Sequence, residues 1–191
     1  ADLFLVLIIE LLRDGGRAAV VLPDGTLFGE GTKTRIKEKL LTECNLHTIV
    51  RLPNGVFNPY TGIKTNLLFF EKNGPTKEVW FYEHPYPPGY KNYSKSRPIR
   101  FEEFEAEKAW WGDASRQGRK QTPLSWKVDI QEIKDRNYNL DLANPFKPDG
   151  DNRSVDELIR AYDQSEREMR AANAALISAL QTALGHAGQL S

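Results

Sequence analysis

Cysteine and methionine occur once each in this chain of 191 residues, and histidine three times. The single thiol, Cys44, excludes an internal disulfide framework and fits a reducing, cytoplasmic setting. His47, His84 and His186 are scattered, and no cysteine or carboxylate accompanies them in a ligand spacing, so no metal site is expected. No serine has a recognisable base and acid around it, which leaves hydrolytic chemistry without support. Neither sign of charge is in excess: 26 basic and 26 acidic residues give a formal net charge of zero. Bulk attraction to nucleic acid is therefore not announced, and any such contact has to come from a local patch. The apolar run Leu3 to Leu12 is too short to span a bilayer and lacks the basic start of a signal peptide, so no membrane partner is expected.

What the chain does carry is enough apolar material for a core, 40% of residues against 27% charged. Its opening reads as a helix apolar on nearly every face, which asks for cover on several sides, and it stops at Arg13-Asp14-Gly15-Gly16. With no cap and no initiator methionine, the natural protein is expected to continue upstream of Ala1. Ala18 to Leu22 reads as a short buried strand closed by Pro23-Asp24-Gly25. Lys33 to Glu43 reads as a helix with Ile36, Leu40 and Leu41 on one face, and Leu46 to Leu52 and Thr65 to Glu71 as two more strands. That order is the pattern of an α/β sheet covered by helices. The link from Leu52 to Thr65 is too short for a helical crossover, so the strands it joins cannot be parallel neighbours. An antiparallel strand is expected to close this end of the sheet. Val79 to Glu83 reads as an edge strand, Phe101 to Trp111 as a short acidic helix, and Ile130 to Asp135 as one or two helical turns. Prolines exclude helix and central strand from His84 to Tyr90, and the polar, basic Ser115 to Thr122 reads as a mobile loop. Asn144 to Asp151 has the composition of a linker, dividing the chain into 1–147 and 148–191, and Arg153 to Leu184 runs as a helical pattern without proline or glycine.

The most specific stretch is Leu52 to Lys72, LPNGVFNPYTGIKTNLLFFEK. A Pro-Asn-Gly turn leads into Val56-Phe57, a loop of turn formers follows, and Leu67 to Phe70 has the composition of a buried strand. Turn chemistry places Phe57 at a loop tip, where its ring either folds back as an anchor or stands as a platform for a flat ligand.

GGRAAVVLPDGTLF, then LHTIVRLPNGVF followed two residues later by YTGIKTNLLFFEK, then RNYNLD, together resemble the modification subunit of type I restriction–modification systems. Members of that family are adenine-specific DNA methyltransferases that use S-adenosylmethionine. The resemblance implies the C-terminal half of a Rossmann-like methyltransferase sheet with an antiparallel last strand, followed by a long C-terminal helix. The family's cofactor pocket follows a Gly-rich turn, and its catalysis uses an Asn/Asp-Pro-Pro-aromatic tetrapeptide. Neither is found here: Gly25, Gly29 and Gly31 lack the fingerprint spacing, and Asn58-Pro59-Tyr60 and Asn144-Pro145-Phe146 lack the second proline. No catalytic or cofactor-binding residue is therefore assigned, and this chain alone is expected neither to bind S-adenosylmethionine nor to methylate DNA. The resemblance sets Phe57 against a flipped target base, because the amine of a stacked adenine cannot meet a methyl donor until the base is extruded. Stacking on an aromatic ring offsets about 1–3 kcal/mol of that cost. Tyr60 and Lys64 are its companions, Lys64 as a phosphate contact.

Basic residues cluster at Lys91, Lys95, Arg97 and Arg100, interleaved with Tyr86, Tyr90 and Tyr93, and again at Arg116, Arg119 and Lys120. Lys95 and Arg97 are candidate contacts to a DNA backbone; the alternative is a solubilising loop beside the glutamates of 102–107. In the terminal pattern Val155, Leu158, Ile159, Tyr162, Met169, Leu176, Ile177, Leu180 and Leu184 form one stripe on a helix roughly 48 Å long. The resemblance assigns that helix to a specificity subunit, with a restriction subunit as a further partner; packing on its own domain or a neighbour is the other reading. Expected partners are thus double-stranded DNA and those subunits. The fragment is also expected to self-associate through its first helix, its open sheet edge or the terminal stripe. The rival reading is a non-catalytic assembly module.

Overall fold

Five strands hydrogen-bond into one mixed sheet in the order β1-β3-β2-β4-β5: β1 Arg17–Pro23, β2 Asn45–Arg51, β3 Thr65–Glu71, β4 Glu78–Glu83 and β5 Ser125–Asp129. They belong to the first of two units, Ala1–Lys147, in a computed structural model that describes residues 1–113, 115–147, 162–174 and 176–177. β3 runs antiparallel to both β1 and β2, β4 is parallel to β2, and β5 is antiparallel to β4. The short link after β2 therefore makes a hairpin, as its length requires. Two expectations need correction. β3 sits inside the sheet between β1 and β2 instead of closing an end, and β4 is an interior strand, flanked by β2 and β5. The closing strand β5 is five residues long with few apolar positions, too little for alternation to register. Its Trp126 stacks on Phe81 of the neighbouring strand, with ring centroids 5.2 Å apart.

Both faces are covered except at the edge strand β1, where Ala19 and Val21 are exposed, so that strand is less buried than its composition suggests. On one face, Leu46, Ile49, Leu68, Phe70, Val79, Phe81, Trp126 and Val128 share one core with Leu5 and Ile9 of α1 (Asp2–Leu11), with Ile36, Leu40 and Leu41 of α3 (Thr32–Glu43), and with Ile133, Leu140 and Leu142. Cys44 joins that core, and burial pushes its thiol pKa up. On the other face Val50, Leu67, Phe69 and Tyr82 pack under a 3-10 turn (Phe101–Phe104) and a helix that follows it (Glu105–Trp111). The alternation of neighbouring side chains between two cores is why β2 is buried at every interior position.

Pro23-Asp24-Gly25 is not simply a closing turn: it begins a five-residue helix, α2 (Asp24–Phe28). The buried Lys37 of α3 serves the far end of that helix, its Nζ donating to the carbonyls of Leu27 at 2.7 Å and Gly29 at 2.9 Å. Burial lowers its pKa, and a cation at a helix C-terminus is the favourable placement. The first helix has cover on one side only. Leu5 and Ile9, one turn apart, are buried, whereas Leu3 (81%), Phe4 (71%) and Leu11 (76%) are exposed.

In the second unit residues 162–174 and 176–177 are helical, with Arg170 paired to Glu166 at 2.6 Å and Gln164 donating to Glu168 at 2.7 Å, each one turn apart. Tyr162, Met169 and Leu176 recur on one face of it. The remainder of the expected terminal helix, including Val155, Leu158, Ile159, Leu180 and Leu184, lies outside the described residues.

Candidate nucleic-acid interface

Strand directions gather the loops of interest on one rim. β1, β2 and β4 run the same way, so their last residues, Pro23, Arg51 and Glu83, align with Thr65 at the start of β3 and Ser125 at the start of β5. Ligands of open α/β sheets bind outside the carboxyl ends of the strands. From this rim rise two loops, residues 52–64 after β2 and residues 84–100 after β4.

The first loop is closed at its neck, where Leu52 N donates to Thr65 O and Asp24 N to Lys64 O, each at 3.0 Å. Inside it Asn58 N donates to Gly55 O, and Tyr60 N and Thr61 N to Phe57 O at 2.9 and 3.2 Å. The turn thus has a defined backbone from which Phe57 (41% exposed) and Tyr60 (91% exposed) project, while Lys64 is exposed at its base. Phe57 is neither fully buried nor free: 41% of its surface is open.

The second loop carries Lys95 and Arg97, both exposed, and Ser94 and Arg97 exchange backbone hydrogen bonds at 3.1 and 3.0 Å. The Arg97 guanidinium lies 5.6 Å from the centre of the Tyr90 ring, which holds a flexible cation in place. Tyr93 corrects the picture of three surface tyrosines. It is buried, with its hydroxyl donating to Glu103 at 2.5 Å, and burial followed by that carboxylate pushes its pKa far up.

The glutamates beside this loop do not simply neutralise it. Glu107 is buried against His84, which stacks on Phe104 at 4.6 Å, and Glu103 also accepts from the Arg100 amide. Glu102 and Glu105 alone of this group remain exposed on both sides of the turn.

The second basic cluster lies elsewhere. Arg116 grips Glu71 at the opposite end of β3 through two bonds of 2.7 and 3.2 Å. Arg119 is wedged between Trp110 and Trp111, 4.6 and 4.5 Å from their ring centres, and donates to Thr48 at 2.8 Å. Burial, with Arg116 beside it, brings its pKa down to about 10. Residues 115–122 are thus pinned to the sheet, contrary to the mobile loop their polarity suggests, and these two arginines are internal ties. His47 lies in the same corner, edge-on to Trp111 at 5.7 Å; burial first, and Arg116 next, lower its pKa to about 4.

On the rim itself a cleft of about 430 Å³ runs between the loops, lined in part by Asp24, Arg51, Asn54, Lys64, Glu83 and Tyr86. A chain segment that pattern reading left without a role crosses it. Arg51 donates to Asp141 at 2.6 Å and to Leu142 O at 2.9 Å, Glu83 pairs with Lys147, and Asn144 donates to Glu83 and to Pro123 O at 3.2 and 2.9 Å. The two Asn-Pro-aromatic triplets are both in turns, Asn144 holding this strap and Asn58 holding the first loop.

At the glycines after β1 the carbonyls of Gly25 and Gly29 accept from Lys33 and Lys37, each at 2.9 Å, which ties this segment to α3. Among the described residues no group of three or more metal-ligating side chains converges, and no helix is long and apolar enough to cross a membrane.

A family model described as N-6 DNA methylase matches residues 1–153. The chain is 63% identical over 171 residues to the type I restriction enzyme EcoEI methylase subunit of Escherichia coli, covering 88% of this chain and 35% of that subunit. It is 34% identical to the EcoKI methylase subunit of E. coli K12, covering 72% of this chain and 28% of the relative. Among solved structures it resembles one from a study of complex assembly and conformational transition in a type I restriction–modification system (TM-score 0.73, 41% identity, 95% of this chain and 39% of the other). It also resembles the crystal structure of the EcoKI M protein (TM-score 0.66, 28% identity, 90% and 44%). The chain thus spans well under half the length of these relatives.

Proposed function

The chain belongs to the N-6 DNA methylase family, and from that premise we propose that it supplies the base-facing loop and DNA-contacting rim of a type I modification subunit. The whole subunit would move a methyl group from S-adenosylmethionine to the exocyclic amine of adenine in duplex DNA. On this reading the cofactor pocket and the Asn/Asp-Pro-Pro-aromatic tetrapeptide belong to the length of such subunits that this chain does not span, and the sheet is the back half of a Rossmann-like methyltransferase. No step of the transfer is therefore assigned to residues here. Their work is to hold the extruded base and the backbone beside it.

The observation that carries this reading is the placement of Phe57. A half-covered ring projects from a closed turn at the carboxyl rim, with an exposed tyrosine three residues on and an exposed lysine at the base. A ring exposed to that degree at a loop tip leaves aromatic surface on which a base can stack. Lys64, Lys95 and Arg97 surround the same rim and suit phosphates. The test is Phe57→Ala in the full-length subunit. Methylation should lose about 1–3 kcal/mol of transition-state support, while truncating a half-buried ring should cost folding about 1 kcal/mol. If melting temperature collapses while activity per folded molecule persists, the ring is an anchor and the reading fails.

A second role accompanies the first. The stripe of Tyr162, Met169 and Leu176 suits helix-to-helix docking, which supports assembly with a specificity subunit, and through it a restriction subunit. Without the rest of the protein, the same reading has this chain inactive, and serving assembly alone.

A further inference from the structure

The base-facing loop does not stand by itself; it is stapled to its neighbour. Asn58 Nδ2, one residue after Phe57, donates to the carbonyl of Tyr93 at 3.0 Å. Tyr86 of the same neighbouring loop donates through its hydroxyl to Asn54 O at 2.9 Å, two residues before Val56. Between them Gly55 sits at φ +78°, where a side chain is strained. A Cβ there would stand 2.1 Å from Asn92 Oδ1 and 2.6 Å from Asn58 Nδ2, so a side chain would press on both amides. Glycine suits the position through its φ and through the close approach of the two loops.

The far side of the staple is tied into the fold. Tyr93 is 1% exposed, its hydroxyl held by Glu103, and Glu103 lies 3.8 Å from His84, which is itself paired with the buried Glu107. Through this chain of buried groups the carbonyl that Asn58 grips is fixed to the helix Glu105–Trp111 and to the end of β4. Phe57 has no comparable anchor of its own: its ring is 41% exposed, and its own carbonyl accepts only local turn bonds.

We infer that Asn58 is a positioning residue, whose side-chain amide, clamped on Tyr93 O and shielded by Gly55, sets the angle at which Phe57 meets the target base. The inference rests on the base-facing reading of Phe57. A ring that holds a reacting base acts through its placement, since a misplacement of about 1 Å can cost on the order of a hundredfold in the chemical step. Asn58 itself touches no substrate, and its effect passes through the neighbouring residue.

The test uses the full-length subunit in its complex, on its own recognition duplex carrying 2-aminopurine at the target adenine. Asn58→Asp keeps the shape and removes the donor. The expected result is a fall of about tenfold in the single-turnover methylation rate on the normal duplex and a smaller rise in 2-aminopurine fluorescence. Dissociation constants for DNA and for S-adenosylmethionine should move less than about threefold. Tyr86→Phe, which cuts the second staple without adding charge, should shift rate and fluorescence in the same direction by less, and it serves if Asn58→Asp fails to fold. Phe57→Ala runs alongside. If Phe57→Ala lowers rate and fluorescence but both staple variants match wild type, the positioning role is overturned and the base-facing reading stands. If Phe57→Ala is itself silent, the base-facing reading falls, and this inference with it.

Discussion

His47 offers a quantitative check on the packing at the end of the sheet opposite the rim. In the folded chain the imidazole is buried beside Trp111 and within reach of Arg116, and both influences disfavour its protonated form, so its pKa falls from 6.5 to about 4. The unfolded chain binds this proton near pH 6.5, the folded chain only near pH 4. Between those values the unfolded state holds more protons, so stability rises with pH and is lost as pH falls through the window. Above about pH 7 both states are neutral at this site and the contribution is complete. Going from pH 7.5 to 5.5, the unfolded state gains about a factor of ten in statistical weight from this proton and the folded state almost none. The loss is therefore about 1.4 kcal/mol. Nearby Glu71, held by Arg116 with a lowered pKa, stays ionised across that range and does not cancel it. The assay is urea unfolding of wild type and His47→Asn at pH 7.5, 6.5 and 5.5. Asparagine keeps a polar atom for Thr48, the 2.8 Å partner of Nδ1, and removes the titration. The variant should be less stable at pH 7.5 through lost contact with Trp111, but its stability should vary with pH by about 1.4 kcal/mol less than wild type. Parallel pH profiles would mean His47 is hydrated in the native state and that the corner formed by residues 110–119 is open, contrary to the geometry.

Three further outcomes are expected. Phe57→Ala in the full-length subunit lowers the single-turnover methylation rate per folded molecule while melting temperature falls only modestly; an unchanged rate per folded molecule would refute the base-facing role. Lys95→Ala with Arg97→Ala reduces the slope of log Kobs against log salt for DNA binding by about 0.9 for each phosphate contact removed. An unchanged slope would place both residues off the DNA. This chain by itself is expected to be a dimer or larger, because Leu3, Phe4 and Leu11 are exposed and β1 is paired only with β3; a clean monomer by light scattering well above micromolar concentration would show that those surfaces are tolerated bare.

Local pattern was enough to place most elements. The run TNLLFFE is a strand because residues of both parities are apolar and both faces of β3 are buried, and the gap from Arg51 to Thr65 is too short for a crossover, which makes the pair a hairpin. Turn residues likewise put Phe57 and Tyr60 at a loop tip, and family motifs rather than periodicity gave that tip a purpose. What pattern could not decide was which strand lies beside which. Hydrophobic spacing reports how many faces are covered, not by whom, so VWFYE looks the same at an edge as beside β5, and β5 itself is legible only once Phe81 supplies a partner for Trp126. The same limit governs charge. Arg97 and Arg119 are alike in sequence, yet one lies over Tyr90 on an exposed rim and the other is wedged between two tryptophans with its pKa lowered by burial. Only the fold sorts cations into those that face solvent and those that hold the sheet together, because the cost of desolvating a charge depends on what surrounds it in three dimensions. Asn58 makes the point at the site itself: in sequence it belongs to a turn, and only the approach of a loop 35 residues away turns its amide into a clamp.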